Sequence, residues 1–267
     1  MSIEDLTSVH NRRGLFVEIS KGPFLINRAL LADNQVSALR ILDVEHVTVR
    51  NSLLVVGPQS DAKPSAAKAI YDEATGRSKR DDRMLIDIPY YLRSSMNNDA
   101  NWNRVENALG ASKRHEEFAL PGPWSITGSV VASYTPGQFL TWVSLWLPQP
   151  QRLPAVYERA LSISDTTFYA AEDDAFLWFD FNRAPAEQAH VMNLERFQSY
   201  LPKVAGNWGD PGFVDPTQGD YRLSPTSPLI GKNKELPARA LPAAWRDKRL
   251  ATRAFADKLQ RLSPVEP

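Results

Sequence analysis

A short pattern recurs along this chain and limits what it can fold into. It runs β-branched residue, any residue, polar residue or Gly, small residue, then two mostly apolar residues. Two clear copies occupy 26–31 (Ile26, Asn27, Arg28, Ala29, Leu30, Leu31) and 49–54 (Val49, Arg50, Asn51, Ser52, Leu53, Leu54). Weaker copies lie at 105–110 and 126–131, and a degenerate one at 163–168. The first two begin 23 residues apart and the third and fourth 21 apart. A period of this size, with alternating apolar positions, suits a solenoid whose coils each hold several short strands. Stacked strands lie about 4.8 Å apart. Equivalent positions then fall above one another in a narrow core, and a large side chain at the corner would not fit. Asn, Asp or Gly beside the small residue suits a bend, because these types tolerate left-handed backbone. An ordinary antiparallel sheet with coincidental similarity is the competing reading.

Composition removes several classes. The chain has 267 residues, 43% of them hydrophobic and 23% charged, as in an ordinary globular protein. Lys+Arg and Asp+Glu both number 31, so no overall basic field points to nucleic acid. The absence of Cys excludes disulfides, zinc–thiolate sites, iron–sulfur clusters and a Cys nucleophile. No stretch is long and apolar enough to cross a membrane as a helix. The start carries no basic and apolar leader, so it gives no export signal and leaves the compartment unknown. No Gly-rich dinucleotide loop, phosphate-binding loop, HExxH or GxSxG is found. With four His in all, no metal site and no cofactor are expected.

Two segments carry a family resemblance. The stretch 206–231 contains Asn207, Trp208, Gly209, Asp210, Pro211, Gly212, Phe213, Val214, Asp215 and Pro216, followed by Gly219, Asp220, Tyr221, Arg222 and Leu223. It is similar to the closing segment of many bacterial pectate-lyase-like β-helix proteins. That resemblance implies an all-β, right-handed parallel β-helix (solenoid), and turn and stacking roles for Asp210, Asp215 and Asp220. The stretch 14–27 (Gly14, Leu15, Phe16, Val17, Glu18, Ile19, Ser20, Lys21, Gly22, Pro23 and onward) resembles the signature of β-helix glycosidases of the family 120 β-xylosidase type. The resemblance implies that Glu18 is the catalytic acid/base. The chain departs from the pattern at Ser20 and Lys21, where the family has Asn and His. In the family the nucleophile is an Asp about one coil earlier. Counting one coil back from Glu18 runs past Met1, so the nucleophile-bearing coil is expected to be missing and the helix truncated at its N-terminus.

Geometry makes that chemistry intelligible. A retaining glycosidase sets its carboxyl groups about 5–5.5 Å apart. One step between coils is about 4.8 Å. Matching outward positions on adjacent coils would therefore bring two carboxylates to the required separation. One would act as nucleophile, while the other, raised in pKa by its neighbour, donates a proton.

The resulting expectation is a lead segment at 1–13, coils over 14–231 with insertions near 57–83 and 132–160, and a tail at 232–267. Within the tail, 243–262 has the spacing of an amphipathic covering helix, and 193–204 reads as another helix. The apolar run 137–147 reads as a buried strand or a turn of helix. The expected function is hydrolysis of xylo-oligosaccharides or related glycans. Lys21, Arg40 and His46 are candidate substrate-binding residues, each also readable as a surface or loop residue. The alternative is an inactive glycan-binding or structural module, with polysaccharide lyase chemistry ranked below both. The partner is an oligo- or polysaccharide, with no nucleic acid or membrane. An open N-terminal coil would also favour self-association through its strand edges. The acidic pairs at 81–82, 116–117 and 173–174 lack the spacing of a calcium loop. Among the aromatic residues, Tyr90, Tyr91, Trp102, Trp124, Trp142 and Trp146 are candidate sugar platforms, with core packing as the commoner use.

Overall fold

A computed structural model describes residues 1–20, 22–34, 37–44, 46–58, 84–90, 123–135, 139–145, 161–171, 177–181, 190–192, 194–195, 198 and 203–245. These residues are predominantly β, in two large and mostly parallel sheets, an arrangement compatible with a parallel β-helix or solenoid.

The chain runs through successive rungs of strands. The first holds β1 (Ser2–Glu4), β2 (Thr7–Val9) and β3 (Arg13–Ser20). The second holds β4 (Phe24–Asn27), β5 (Leu30–Ala32) and β6 (Ser37–Val44). The third holds β7 (Val47–Arg50), β8 (Leu53–Val56) and β9 (Met84–Tyr90). The fourth holds β10 (Trp124–Thr127), β11 (Val130–Ser133) and β12 (Phe139–Leu145). In the fifth, β13 (Leu161–Ala170) is one long strand, followed by β14 (Leu177–Phe181) and β15 (His190–Met192). Next come β16 (Val204–Trp208) and an antiparallel hairpin of β17 (Phe213–Asp215) and β18 (Asp220–Leu223).

Each strand pairs in parallel with its counterpart on the next rung. The repeat is in register, since Ile26 pairs with Val49, Val49 with Ile126, and Ile126 with Ile163. The long β13 pairs with β10 through its first half and with β11 through its second, which joins the two ladders into one ten-stranded sheet. The second sheet runs β15-β14-β12-β9-β6-β3, with only the β14–β15 pair antiparallel. Leu15 and Leu39 stand side by side in the parallel pair of β3 and β6.

The bend between the two ladders repeats at every rung. Asp5, Arg28, Asn51, Gly128 and Asp165 all have positive φ, between 48° and 58°. Each of the first four sends its N–H to a carbonyl of the next rung, at 3.0–3.2 Å. Non-Gly residues seldom adopt this backbone, and Asn and Asp do so most readily. Arg28 is the exception, and its guanidinium is fixed by Glu4 and Asp5 at 2.8 Å each. The small residue follows the bend. The Ser52 hydroxyl accepts the Ala29 N–H at 3.1 Å and donates to the Arg50 carbonyl at 2.6 Å. The Ser129 hydroxyl repeats this one rung on, accepting from the Ser52 N–H at 3.1 Å and donating to the Thr127 carbonyl at 3.0 Å. A larger side chain would have to displace a buried bond.

Burial follows the sequence pattern. β7 and β10 alternate, with Val47, Val49, Trp124 and Ile126 buried between more exposed neighbours. β5 and β8 are unbroken apolar runs, β11 is apolar up to Ser133, and all three are buried on both faces. Leu31, Leu54 and Val131 enter the main core. Leu30, Leu53, Val55 and Val130 turn the other way, beneath Phe213, Tyr221 and Leu241 of the closing segment. At Gly57 the two bodies approach so closely that a Cβ would lie 2.3 Å from the Pro216 carbonyl oxygen.

Several expectations take a different form. The segment 1–13 carries β1 and β2, which pair with β4 and β5, so the rungs begin at Ser2 rather than near Gly14. Inside the expected insertion 132–160, β12 is a central strand paired with both β9 and β14. The run 137–147 thus supplies a strand rather than a turn of helix. The copy at 105–110 and most of 57–83 lie outside the described residues. Of the two expected helices, 194–195, 198 and 243–245 are helical, whereas Lys203 is a turn and Val204 already opens β16, so the first helix does not reach 204; their other residues lie outside the described ones.

Candidate functional site

Glu18 lies on β3, exposed, with Leu42 as its register partner on β6. The matched position on this neighbouring strand is therefore apolar. Arg40 is two residues away in register, opposite Phe16. Its guanidinium sits 5.7 Å from the centre of the Phe16 ring, as does that of Arg13. Arg40 is thus engaged by an aromatic face. His46 is exposed in the link from β6 to β7, and its carbonyl accepts the Phe24 N–H at 2.9 Å. Gly22 backs onto that carbonyl with a φ of +71°, and a Cβ there would lie 2.5 Å from the oxygen. Any side chain at Gly22 would force this turn apart. Lys21 and the acidic pairs at 81–82, 116–117 and 173–174 lie outside the described residues, as do Tyr91, Trp102 and Trp146. Trp124 is core, with its indole N–H on the Val44 carbonyl at 2.8 Å.

A cleft of about 730 Å³ opens elsewhere, over the bend between the two ladders. The repeat supplies its floor through Asn51, Gly128, Ser129 and Asp165. β16 and the turn after it supply Asn207, Trp208 and Asp210 as one wall, and the tail supplies Lys232 and Asn233 as the other. The tail is tied to the bend by amides. Asn233 donates to the Asn51 side-chain oxygen at 2.9 Å and to the Gly128 carbonyl at 2.7 Å. The Asn51 amide group donates to Asn27 at 3.2 Å and to Glu235 at 2.5 Å.

The opposite wall is held by Tyr134. Its hydroxyl donates to Asp210 Oδ1 at 2.7 Å, and the Gly212 N–H donates to the same oxygen at 2.8 Å. Burial raises the Tyr134 hydroxyl pKa, and the bond and charge of Asp210 raise it further. Tyr134 therefore stays a neutral donor, fixed by ring contacts with Tyr169 at 4.9 Å and Phe213 at 6.2 Å. Trp208 is 38% exposed. Asp165 is exposed and has no hydrogen-bond or ion-pair partner among the described residues. Further along, Asp215 caps the turn Pro216–Gln218, and Asp220 pairs with Arg222.

Among the described residues the cleft thus combines an exposed indole and apolar side chains, including Val130, Leu229 and Leu236, with polar amides, two carboxylates and one ammonium group. An indole offers an apolar plane, and amides and carboxylates offer paired donors or acceptors. Such a concave mixture can hold a flat, hydroxyl-rich ligand. Sequence reasoning had assigned its residues to turns and to the closing segment. The signal available was the order Asn207, Trp208, Gly209, Asp210, which puts a large aromatic among turn-forming polar residues. Comparison with protein-family models, curated proteins and solved structures gives no match.

Proposed function

We propose that this chain is a carbohydrate-binding module on a right-handed parallel β-helix, and that the cleft over the bend is where a saccharide docks. The observation that carries this reading is Trp208, more than a third exposed at the wall of a cleft that mixes apolar residues such as Val130 and Leu229 with the polar groups of Asn51, Asp165 and Asn233. A pyranose has one apolar face and a rim of hydroxyls, which matches an indole opposed by amides and carboxylates. Hydrolysis centred on Glu18 is the weaker reading: β3 ends its sheet among the described residues, and on its one paired side the register partner of Glu18 is Leu42.

The test is titration calorimetry with a xylo-oligosaccharide, on the wild type and on Trp208→Ala. The wild type is expected to bind, and the variant to bind about tenfold more weakly, a loss of about 1.4 kcal/mol. Absence of wild-type binding to any oligosaccharide would overturn the proposal. Hydrolysis of an aryl β-xyloside that vanishes in Glu18→Gln would replace it with the enzyme reading.

A further inference from the structure

Charge is unevenly spread around the cleft. Among the described residues, Asp165 and Asp210 line it against a single cation, Lys232. A third carboxylate, Glu235, is held at its edge by the 2.5 Å bond from Asn51. Both described bonds to Asp210 converge on Oδ1, from two neutral donors, so neither neutralises the carboxylate. The Asp165 carboxylate also meets no cation among the described residues. By contrast, Glu4 and Asp5 on the surface and the buried Asp220 are each paired with an arginine. Among the described residues the cleft therefore carries an excess of negative charge beside an aromatic plane.

That combination discriminates among sugars. An acidic sugar would place its carboxylate among like charges. A neutral sugar would gain stacking and hydrogen bonds only. A sugar bearing a protonated amine would gain both of these and an ion pair, and its cationic edge would also be compatible with the indole face. We infer that the cleft selects amino sugars, with the ring on Trp208 and the ammonium between Asp165 and Asp210; this rests on the carbohydrate-binding reading and assigns its ligand class.

The test compares three probes of equal length at a pH of about 5.5, where amines are protonated and ordinary carboxylates ionised. The probes are a glucosamine oligomer, its N-acetylated form and an oligogalacturonate. The wild type is expected to bind the glucosamine oligomer about tenfold more tightly than the N-acetylated one. That preference should shrink as salt rises from about 0.05 M to 0.5 M. Asp165→Asn keeps a residue type that tolerates the bend. It should reduce the preference for the amine over the N-acetylated probe to about twofold or less. If neutral sugars bind but the amine brings no advantage, or the uronate binds best, the charge inference is overturned and the carbohydrate reading stands. If no probe binds, both fall.

Discussion

The bend between the two ladders and the β3 face with Glu18 are built from the same stacked rungs, yet they treat side chains differently. At the bend the backbone is invariant while chemistry changes freely. Five residues share one left-handed conformation, although they are Asp, Arg, Asn, Gly and Asp. On the β3 face, Phe16 neighbours Arg40, and Glu18 neighbours Leu42. Paired chemistry there depends on what the adjacent strand happens to carry. The difference teaches that stacking aligns positions but does not choose their residues. A site arises where unlike residues are aligned and a further segment walls them in. The tail does this at the bend, through Asn233 and Glu235.

The contrast can be broken most sharply in the core. Leu54 is fully buried between rungs, whereas Phe16 is 44% exposed. Leu54→Ala is expected to cost about 2–5 kcal/mol in urea unfolding. Phe16→Ala should cost less than about 1 kcal/mol. Equal losses would mean that the β3 face is as tightly packed as the bend. A smaller effect is expected from Ser52→Ala, which strips the Ala29 N–H of its acceptor. The loss should be about 1–3 kcal/mol, and Ser52→Thr should recover part of it. No change on Ser52→Ala would show that the hydroxyl ladder is incidental to the bend.

The smallest effect concerns acid. The Arg28 hydrogen bond and charge hold the Asp5 carboxyl below its ordinary value of 3.8. A carboxyl depressed in the folded state adds stability above the unfolded pKa and loses it as pH falls through the folded one. Asp5→Asn should therefore lower Tm slightly at neutral pH and not at all well below pH 3.8. The pair is solvent-exposed, so the shift should be near the detection limit and fade with salt. A deficit that persisted in strong acid would point to backbone strain at Asp5 rather than to its charge.

How much of this was legible depends on whether the signal was local. The copies at 26, 49, 126 and 163 could be read because one bend imposes the same residue types on each rung. β1 and β2 were not read, since three residues are too few to show a period. β12 was recognised as apolar, but its central place in the sheet was not, because pairing is a long-range property. Glu18 could be identified from its own neighbours, but Leu42 beside it needed the register. The cleft was least legible. Asn51, Asp165, Trp208 and Lys232 are far apart in sequence and meet only because rungs stack and the tail folds back.

The left-handed bend has a consequence for how such a chain can change. Its rung-to-rung hydrogen bonds run through main-chain atoms, so the outward group can vary among the types that tolerate this backbone, except where, as at Asn51, it also ties in the tail. Mutation there edits a strip of functional groups spaced at one strand separation, while the scaffold beneath goes unaltered. New ligand preferences could accumulate along that strip one residue at a time, with little risk to folding.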